Sequence, residues 1–549
     1  MSPAVAFVGA GPSTVYALAA LLEDADTPLR LEIFEAQGRA GPGAPYSPER
    51  NTPAMLSNIA SVEIPPVTET LIAWLERQPV DRLAVMGLAP QDLDDRRFYP
   101  RLVLGHYYAD QFDALVERAR SRGWPVMVRT GAQVTDVRIV DGGVQISSQG
   151  PGTPTASARF DHVVLATGHQ WPSQWRARPG YLPSPWPVST LDAVPATRVG
   201  VRGSSLTAMD VAVALALRYG EFVGEERALE YRPRPGGDGL HLTLMSRKGL
   251  LPEADFYFPL PHAPLKVCTA EAIDALIARE EGDLLDAAFA LFRRELVLAD
   301  PDYVEEMGLA EATPEDFSKA YFAPRMMQDP FVWARANLEE ARRNHLSRTT
   351  VPWRDAILRL HEVFGRIVPH LPPDQRGRFE RHLKPVFVDN YGAVPHEAIA
   401  RLLALHDAGV LEVLALGEDY ELSLDRPGGG ARLSIAGRQL EFPVLIEARG
   451  QQALGALQFP FLSLLEQGVV RDGADGPGVA VDDAFQVTAP GLAAGRLFCI
   501  SLPFLMSRRP FAQGLTSAWE MGRTVAAALA SALRDDRMIR SIPRKALTA

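Results

Sequence analysis

Two stretches of the sequence carry glycines and hydroxyl residues at a spacing that can hold a pyrophosphate. In residues 4–23, AVAFVGAGPSTVYALAALLE, a short apolar run leads into a tight turn and then into a segment of helical period. The turn residues are Gly9, Gly11, Pro12, Ser13 and Thr14. Free amides in such a turn and the positive end of the following helix attract a pyrophosphate. Thr14 replaces the third glycine of G-x-G-x-x-G, so an ordinary glycine-rich turn is the alternative interpretation of this motif alone.

An acidic residue follows the next predicted strand, LRLEIFE, which ends in Glu35. Its carboxylate could bind ribose hydroxyls, although it lies further along than the usual spacing of about 20 residues. Residues 36–66 are rich in Gly, Pro, Ser and Asn. Their position after Glu35 predicts a segment that wraps around the rest of a dinucleotide, with Tyr46 and Asn58 supplying hydrogen bonds. An ordinary surface loop is the alternative.

Residues 197–217, TRVGVRGSSLTAMDVAVALAL, repeat the strand–turn–helix pattern. The turn residues expected to contact the second nucleotide are Gly203, Ser204, Ser205 and Thr207. Ser205 replaces the middle glycine and leaves slightly less room for a pyrophosphate. The next predicted strand, HLTLMS, ends in Arg247 and Lys248, where an NAD-specific site would carry an acid. Two cations suit a 2′-phosphate and predict NADPH over NADH; a solvated basic turn is the alternative.

A third small-residue turn closes a predicted strand at residues 161–169, DHVVLATGH. Together with GAGPS and Glu35, this motif resembles those of the two-dinucleotide flavoproteins. Its D-x-x-x-L-A-T-G-H form is similar to that of the flavin-dependent amine N-hydroxylating monooxygenases. The F-x-G-x-x-x-H motif of the Baeyer–Villiger and related monooxygenases is missing from residues 171–187.

Longer landmarks resemble a group of bacterial FAD/NAD(P)-binding proteins: GAPYS at residues 43–47, residues 55–66, ATGH at 166–169, and residues 244–256. The group looks related to flavin N-monooxygenases that oxidise the amine of aspartate to a nitroso or nitro product. The resemblance implies FAD and NADPH as cofactors and a C4a-hydroperoxyflavin as the hydroxylating species. None of these motifs recognises the substrate, so aspartate is one candidate among several amino acids.

The resemblance also implies which residues contact FAD beyond the first turn and Glu35. These are Tyr46, Asn58, Val134, Ala166, Thr167, Gly168, Gly514 and Leu515. A carboxylate substrate would be held by arginine. Arg508 and Arg509, just before the predicted flavin-proximal turn, are the first candidates for this role, and Arg101 and residues 389–391 are weaker ones.

These motifs require an α/β fold with two Rossmann-like dinucleotide-binding domains, a β-meander of short strands that begins at Pro125, and a helical insertion. We expect a first part of the FAD-binding domain at residues 1–192 and an NADPH-binding domain at 193–267. A helical insertion is expected at 268–385, followed by a return to the FAD-binding domain at 386–549 with a closing strand and helix. Residues 385–390, PVFVDN, are expected to be a strand.

Composition narrows the possible functions. The chain has 549 residues, a net charge of −11 and two cysteines, Cys268 and Cys499. The charge argues against a nucleic-acid surface, and the lack of C-x-x-C removes a disulfide relay and a zinc ribbon. No stretch reaches 18 uncharged apolar residues and no targeting segment is visible, so we expect a cytoplasmic protein without membrane contact.

The leading hypothesis is an NADPH- and FAD-dependent monooxygenase that N-hydroxylates a small amine or amino acid with molecular oxygen. Its few motif residues with acid–base chemistry agree with a reaction in which the flavin does the difficult step. Two alternatives stay open: an NADPH-dependent oxidoreductase that passes electrons to another acceptor, and a non-catalytic flavoprotein module. An oligomer is possible.

Overall fold

The computed structural model describes residues 2–25, 28–170, 177–279, 282–473, 476–489, 491, 495–512 and 514–541. Its strands are β1 (Ala4–Val8), β2 (Arg30–Glu35), β3 (Val126–Thr130), β4 (Gln133–Val140), β5 (Gly143–Gln149), β6 (Ala156–Phe160), β7 (His162–Leu165), β8 (Tyr181–Leu182), β9 (Arg198–Arg202), β10 (Gly220–Val223), β11 (Glu230–Pro233), β12 (His241–Ser246), β13 (Leu411–Ala415), β14 (Tyr420–Ser423), β15 (Ala431–Ile435), β16 (Arg438–Phe442), β17 (Val444–Glu447) and β18 (Leu497–Cys499).

The helices alternate with these strands in two units, and a continuous run of helices lies between β12 and β13 of the second unit. They are α1 (Pro12–Asp24), α2 (Gly43–Tyr46), α3 (Leu71–Glu76), α4 (Val80–Val85), α5 (Arg101–Ser121), α6 (Leu206–Tyr219), α7 (Ala270–Ile277), α8 (Leu284–Ala299), α9 (Pro301–Glu306), α10 (Pro314–Met326), α11 (Pro330–Ser347), α12 (Pro352–Phe364), α13 (Pro373–Arg378), α14 (Lys384–Tyr391), α15 (His396–Asp407), α16 (Leu462–Glu466) and α17 (Leu515–Ser541).

The first unit is built on a parallel sheet with strand order β18-β7-β1-β2-β3. The central strand β1 is buried along its whole length, as expected for a parallel strand that is covered on both faces. We expected β3 to belong to the antiparallel meander, but it pairs in parallel with β2. The meander itself contains β4, β5 and β6.

The second unit is also built on a parallel sheet, with order β13-β12-β9-β17-β8. This differs from the expected return to the FAD-binding domain at residue 386. Strands β13 and β17 pair with β12 and β9, and α15 packs on α6 and α11, so residues 396–447 contribute to the second unit. The chain returns to the first sheet with β18. The fold class, two Rossmann-like units with small antiparallel sheets, is confirmed.

A helical segment from α7 to α14 lies between the second unit's strands β12 and β13. Most of its helices share an apolar core of their own, whereas α11 packs into the core of the second unit. The expected strand at residues 385–390 is instead part of α14. Val386, Phe387 and Asn390 are buried, a helical spacing that places one face against this core. Packing of that face outweighs the β-propensity of the apolar run.

Buried ion pairs tie the helical segment to residues 251–254 of the second unit. Arg354 pairs with Glu253, and Arg325 pairs with Asp389 while it donates to the Leu251 carbonyl at 2.6 Å. Two arginines and two carboxylates make this network neutral, which is how buried charges are tolerated. Within the described residues, no helix is both long and apolar enough to cross a membrane.

Candidate functional site

The first dinucleotide turn joins β1 to α1 and packs against the turn that follows β7. Gly9 has φ +101°, and a Cβ built there would lie 2.1 Å from the carbonyl oxygen of Ala166. Only glycine allows this approach. Thr14 occupies the position of the third glycine, and its buried hydroxyl donates to the Gly9 carbonyl at 2.7 Å. This hydrogen bond stabilises the turn.

Glu35 ends β2 beside this turn. Its Oε2 accepts from the Ala10 amide at 2.9 Å and its Oε1 accepts from the Gln37 amide at 2.9 Å. Burial raises the pKa of Glu35, while these hydrogen bonds oppose the shift. The carboxylate keeps room to accept from a further donor. Val134 lies close to the same edge, since the Ala132 amide donates to the Glu35 carbonyl at 2.9 Å.

The segment after Glu35 is ordered around Tyr46. The Tyr46 ring stacks on Tyr108 with centroids 5.8 Å apart, and burial raises the pKa of Tyr46 to about 12. The sequence interpretation missed Asn51, whose buried amide donates to the carbonyls of Pro45 and Ser47 and so braces this segment. Asn58 is solvent-exposed.

The turn after β7 contacts the end of β18. The Thr167 amide donates to the Ser501 hydroxyl at 3.1 Å, and the two hydroxyls lie 2.9 Å apart. Helix α17 packs along α1, with Gly522 against the Tyr16–Ala17 backbone. Since β1 and β18 are parallel, α1 and α17 begin at the same sheet edge. At that edge, the Cβ positions of Gly168 and Gly514 face open space, whereas Leu515 is buried.

These residues fit the nucleotide end of FAD. No side chain caps the N-terminus of α1, so the amides of its first turn suit a phosphate. Ser13 lies in that first turn. Glu35 accepts from the Ala10 amide just before the helix, at the position where a ribose would lie. Contacts of the individual residues with FAD stay predictions.

The second dinucleotide turn joins β9 to α6. Gly203 has φ +142°, and a Cβ there would lie 2.4 Å from the Ala448 carbonyl oxygen. The Ser204 hydroxyl donates to the Leu250 carbonyl at 2.6 Å. Ser205 is exposed at the N-terminus of α6 and makes no capping hydrogen bond there. Thr207 borders a small pocket with Glu447 and Arg449. This turn fits a second pyrophosphate.

Arg247 and Lys248 follow β12 as expected but differ in their surroundings. The Arg247 guanidinium is half exposed, 3.6 Å from Glu418. Lys248 places its ammonium 4.0 Å from the centroid of the Phe322 ring, and burial and the neighbouring Arg247 lower its pKa. Arg247 is therefore the more accessible of the two for a 2′-phosphate.

The structure joins the two units through residues that the sequence did not reveal as a pair. Arg101, at the start of α5, lies 2.7 Å from Asp210 of α6, and both side chains are largely buried. Gln170 and Gln451 lie where the chain passes from one unit to the other. The Gln170 amide donates to Oε1 of Gln451 at 3.0 Å, and Nε2 of Gln451 donates to the Gln170 carbonyl at 2.6 Å. Arg101, a weaker candidate for a carboxylate anchor, is thus engaged with Asp210.

The two predicted carboxylate anchors, Arg508 and Arg509, differ in their surroundings. Arg508 pairs with exposed Asp483 at 2.7 Å and lines an open cavity of about 220 Å³. Arg509 lies over the Phe485 ring at 5.5 Å, and its buried Nε has no hydrogen-bond partner among the described residues. Burial and Arg508 lower its pKa. Arg509 is the better placed of the two to bind an added carboxylate.

The helical segment contacts the turn before α17. The Phe511 ring packs edge-on against His361 and Tyr391, at centroid distances of 5.5 and 6.0 Å, and against Phe387 at 5.5 Å. Asp389, also considered as a substrate residue, is paired with Arg325 inside the helical segment. The segment therefore covers the turn that leads into α17.

Comparisons with known proteins agree with this architecture. Residues 6–170 match the FAD-NAD(P)-binding family model, and residues 269–391 match the YdhS-like middle domain. The reduced form of the ornithine hydroxylase PvdA from Pseudomonas aeruginosa aligns with a TM-score of 0.52 and 12% identity, over 97% of this chain and 100% of that one. The cadaverine monooxygenase DfoA from Erwinia amylovora aligns with a TM-score of 0.51 and 12% identity, over 97% and 94%. At such identity these likenesses show the fold.

One relative is close in sequence. The uncharacterised protein YdhS of Escherichia coli (strain K12) is 42% identical over 526 residues, which cover 96% of this chain and 97% of that protein. With its two dinucleotide turns, its FAD-NAD(P)-binding match and this relative, the chain is an FAD/NAD(P)-binding flavoprotein that belongs to the YdhS family.

Proposed function

We propose that the protein is an NADPH- and FAD-dependent monooxygenase that N-hydroxylates the amine of a small amino acid, with aspartate as a candidate. NADPH, bound at Gly203 and Arg247, would reduce FAD held at the first turn. Reduced FAD would supply the activation of molecular oxygen. The protein's own part is to orient the two nucleotides, exclude water and present the amine as a free base.

The observation that carries this proposal is the state of the two cysteines. Cys268 lies in the helical segment and Cys499 in β18, and both are fully buried. Burial raises the pKa of Cys268 to about 12 and that of Cys499 to about 11. Neither is a reactive thiolate, and no second cysteine lies beside either. Electrons on the flavin therefore have no dithiol acceptor in the chain, which favours oxygen or a small molecule.

Arg509 supports an amino-acid substrate. Its guanidinium lies over the Phe485 ring, and its buried Nε–H has no hydrogen-bond partner within the part of the chain that the structure describes, so a substrate carboxylate could accept from it. It lies five residues before Gly514, at the sheet edge where the flavin ring is expected. Arg508 differs because Asp483 already neutralises it.

The test is oxygen consumption and NADPH oxidation by the purified yellow protein across a panel of amino acids and simple amines. We expect substrate-dependent turnover with hydroxylamine or nitrite products. The variant R509M should raise KM for amino acids but not for simple amines, and R508M should leave both unchanged. Peroxide formation that is the same with every compound would contradict the proposal, and anaerobic turnover with dyes alone would favour the electron-transfer alternative.

A further inference from the structure

We propose that Arg449 binds the pyrophosphate of NADPH in the second unit, an inference that rests on the proposed use of NADPH. Residues 203–207, which form the second dinucleotide turn, contain no lysine or arginine. A side-chain cation for the pyrophosphate therefore has to come from another element. Arg449 lies in the turn that follows β17, two residues beyond the end of that strand.

The turn after β17 packs directly against the second dinucleotide turn. Strands β9 and β17 are parallel neighbours, so the two turns leave the sheet at the same edge. A Cβ built at Gly203 would lie 2.4 Å from the Ala448 carbonyl oxygen and 3.4 Å from the Arg449 amide nitrogen. A Cβ at Gly450 would lie 3.9 Å from Oγ1 of Thr207. Residues 448–450 therefore border the space at the N-terminus of α6.

The same arrangement occurs at the first dinucleotide turn. Residues 166–168, Ala-Thr-Gly, follow β7 as residues 448–450, Ala-Arg-Gly, follow β17. In each set the alanine carbonyl approaches the turn glycine, Gly9 or Gly203, and the last residue is a glycine with positive φ. The two sets differ in the middle residue. Arg449 thus occupies the position at which the first unit is expected to contact FAD.

Glu447 holds the Arg449 guanidinium by one edge. Oε2 of Glu447 accepts from Nε of Arg449 at 3.0 Å, while its Oε1 accepts from Nη1 of Arg202 at 3.0 Å. The Glu447 side chain is 7% exposed, whereas that of Arg449 is 41% exposed. Within the described part of the chain, the two Nη nitrogens of Arg449 make no hydrogen bond. These nitrogens form the planar fork that matches a pair of phosphate oxygens.

The charges around Arg449 leave it able to attract an anion. Glu447 neutralises only one of the two arginines that it binds, and Arg202 is engaged further because its Nη2 donates to the Tyr420 hydroxyl at 2.8 Å. Helix α6 has no acidic residue in its first turn and no side-chain cap. The net positive charge of the Glu447 cluster therefore adds to the positive end of this helix.

A small pocket confirms that the Arg449 side chain turns toward the start of α6. Arg449 and Thr207, the second residue of that helix, line this pocket together with Trp186 and Gln452. An anion bound at the first turn of α6 would therefore lie beside the guanidinium. These residues fit the pyrophosphate of a dinucleotide.

The sheet order separates the role of Arg449 from that of Arg247. Arg247 follows β12 and Arg449 follows β17, and these strands lie on opposite sides of β9. In a Rossmann unit the residue after the second strand contacts the adenine ribose, which is the side of Arg247. Gln451, close to Arg449, instead contacts Gln170 of the first unit. Arg449 should therefore contact a part of the nucleotide that NADPH and NADH share.

The test measures binding of NADP⁺, NAD⁺ and 2′-AMP to the FAD-loaded protein by isothermal titration calorimetry. R449M should raise the dissociation constants of NADP⁺ and NAD⁺ by the same factor, about tenfold or more, because hydrogen bonds between charged groups are lost. Binding of 2′-AMP, which has no pyrophosphate, should be unchanged. R449K should recover part of the affinity, since it keeps the charge without the fork. R247Q should weaken NADP⁺ and 2′-AMP and leave NAD⁺ unchanged.

The control variant R178M removes another exposed arginine of the second unit, 3.9 Å from Asp425, and should leave all three dissociation constants unchanged. FAD content and the melting temperature without nucleotide verify folding of each variant. Equal weakening of 2′-AMP and NADP⁺ in R449M, or unchanged binding of both dinucleotides, overturns the role of Arg449 alone. Wild-type protein that binds neither dinucleotide overturns the proposed use of NADPH with it.

Discussion

Arg101 and Asp210 connect the two dinucleotide-binding units through an ion pair of 2.7 Å between largely buried side chains. Burial raises the pKa of Asp210, and Arg101 opposes that shift. Arg101 also donates through Nε to the Leu56 carbonyl at 3.1 Å, so it is held from the first unit while it reaches the helix of the second. The pair is therefore one of the contacts that connect the units carrying the two nucleotide turns, together with the Gln170–Gln451 hydrogen bonds.

We expect R101M and D210N to slow reduction of the flavin by NADPH about tenfold, because hydride transfer depends on accurate orientation. Stopped-flow absorbance measures this rate. Reduction by dithionite should be unchanged, and the reversed pair R101D/D210R should recover part of the rate. As a control, R335M breaks the exposed Arg335–Asp407 pair and should have no effect. Equal rates in all variants would exclude an orienting role for Arg101 and Asp210.

The substitution G9A should remove bound FAD and destabilise the protein by about 2–4 kcal/mol, since Ala is strained at positive φ and its Cβ meets the Ala166 carbonyl. The ratio of flavin to protein absorbance and the melting temperature check this. The matched control is G38A, because a Cβ at Gly38 meets nothing within 4 Å. Normal flavin content in G9A would show that FAD binding does not need the close approach between the turn after β1 and the turn after β7.

Glu63 should make stability depend on pH. Burial and then Asp255 raise its pKa from 4.5 to about 7, so the folded protein binds the proton more tightly than the unfolded chain. Its contribution is present below pH 4.5 and is lost as pH rises through 7, by up to about 2–3 kcal/mol.

The variant E63Q keeps an acceptor for the Ala60 amide but does not titrate. Compared with wild type, it should therefore gain stability progressively between pH 5 and 8 in thermal or urea unfolding. E76Q, at an exposed glutamate of α3, is the control. A constant difference between E63Q and wild type across this range would contradict the prediction.

Arg247 should determine the preference for NADPH. R247Q should raise KM for NADPH about fivefold to tenfold, leave KM for NADH unchanged, and have less effect at high salt because the guanidinium is half exposed. K248M should act more on stability, through the contact with Phe322. Steady-state kinetics with both nucleotides separate these effects, and an equal change for NADPH and NADH would argue against a 2′-phosphate contact.

Much of the nucleotide chemistry could be predicted from short stretches. Three features depend only on residues that are close in sequence: the turn after β1, Glu35 at the end of β2, and Arg247 with Lys248 after β12. A strand that ends in glycines and continues as a helix carries its own backbone geometry, and the carboxyl ends of neighbouring parallel strands share one edge. The second unit's extent was not predictable, since β13 and β17 return from far along the chain to pair with β12 and β9.

The class of fold, the two strand–turn–helix motifs and the lack of a C-x-x-C pair follow from the sequence alone. The packing of distant elements was needed to show that residues 385–390 are helical, that Arg101 contacts Asp210, and that Gln170 contacts Gln451. These depend on contacts between residues remote in the chain. No local pattern marks such partners, because burial, charge pairing and the shape of a cleft arise only when separate elements pack together.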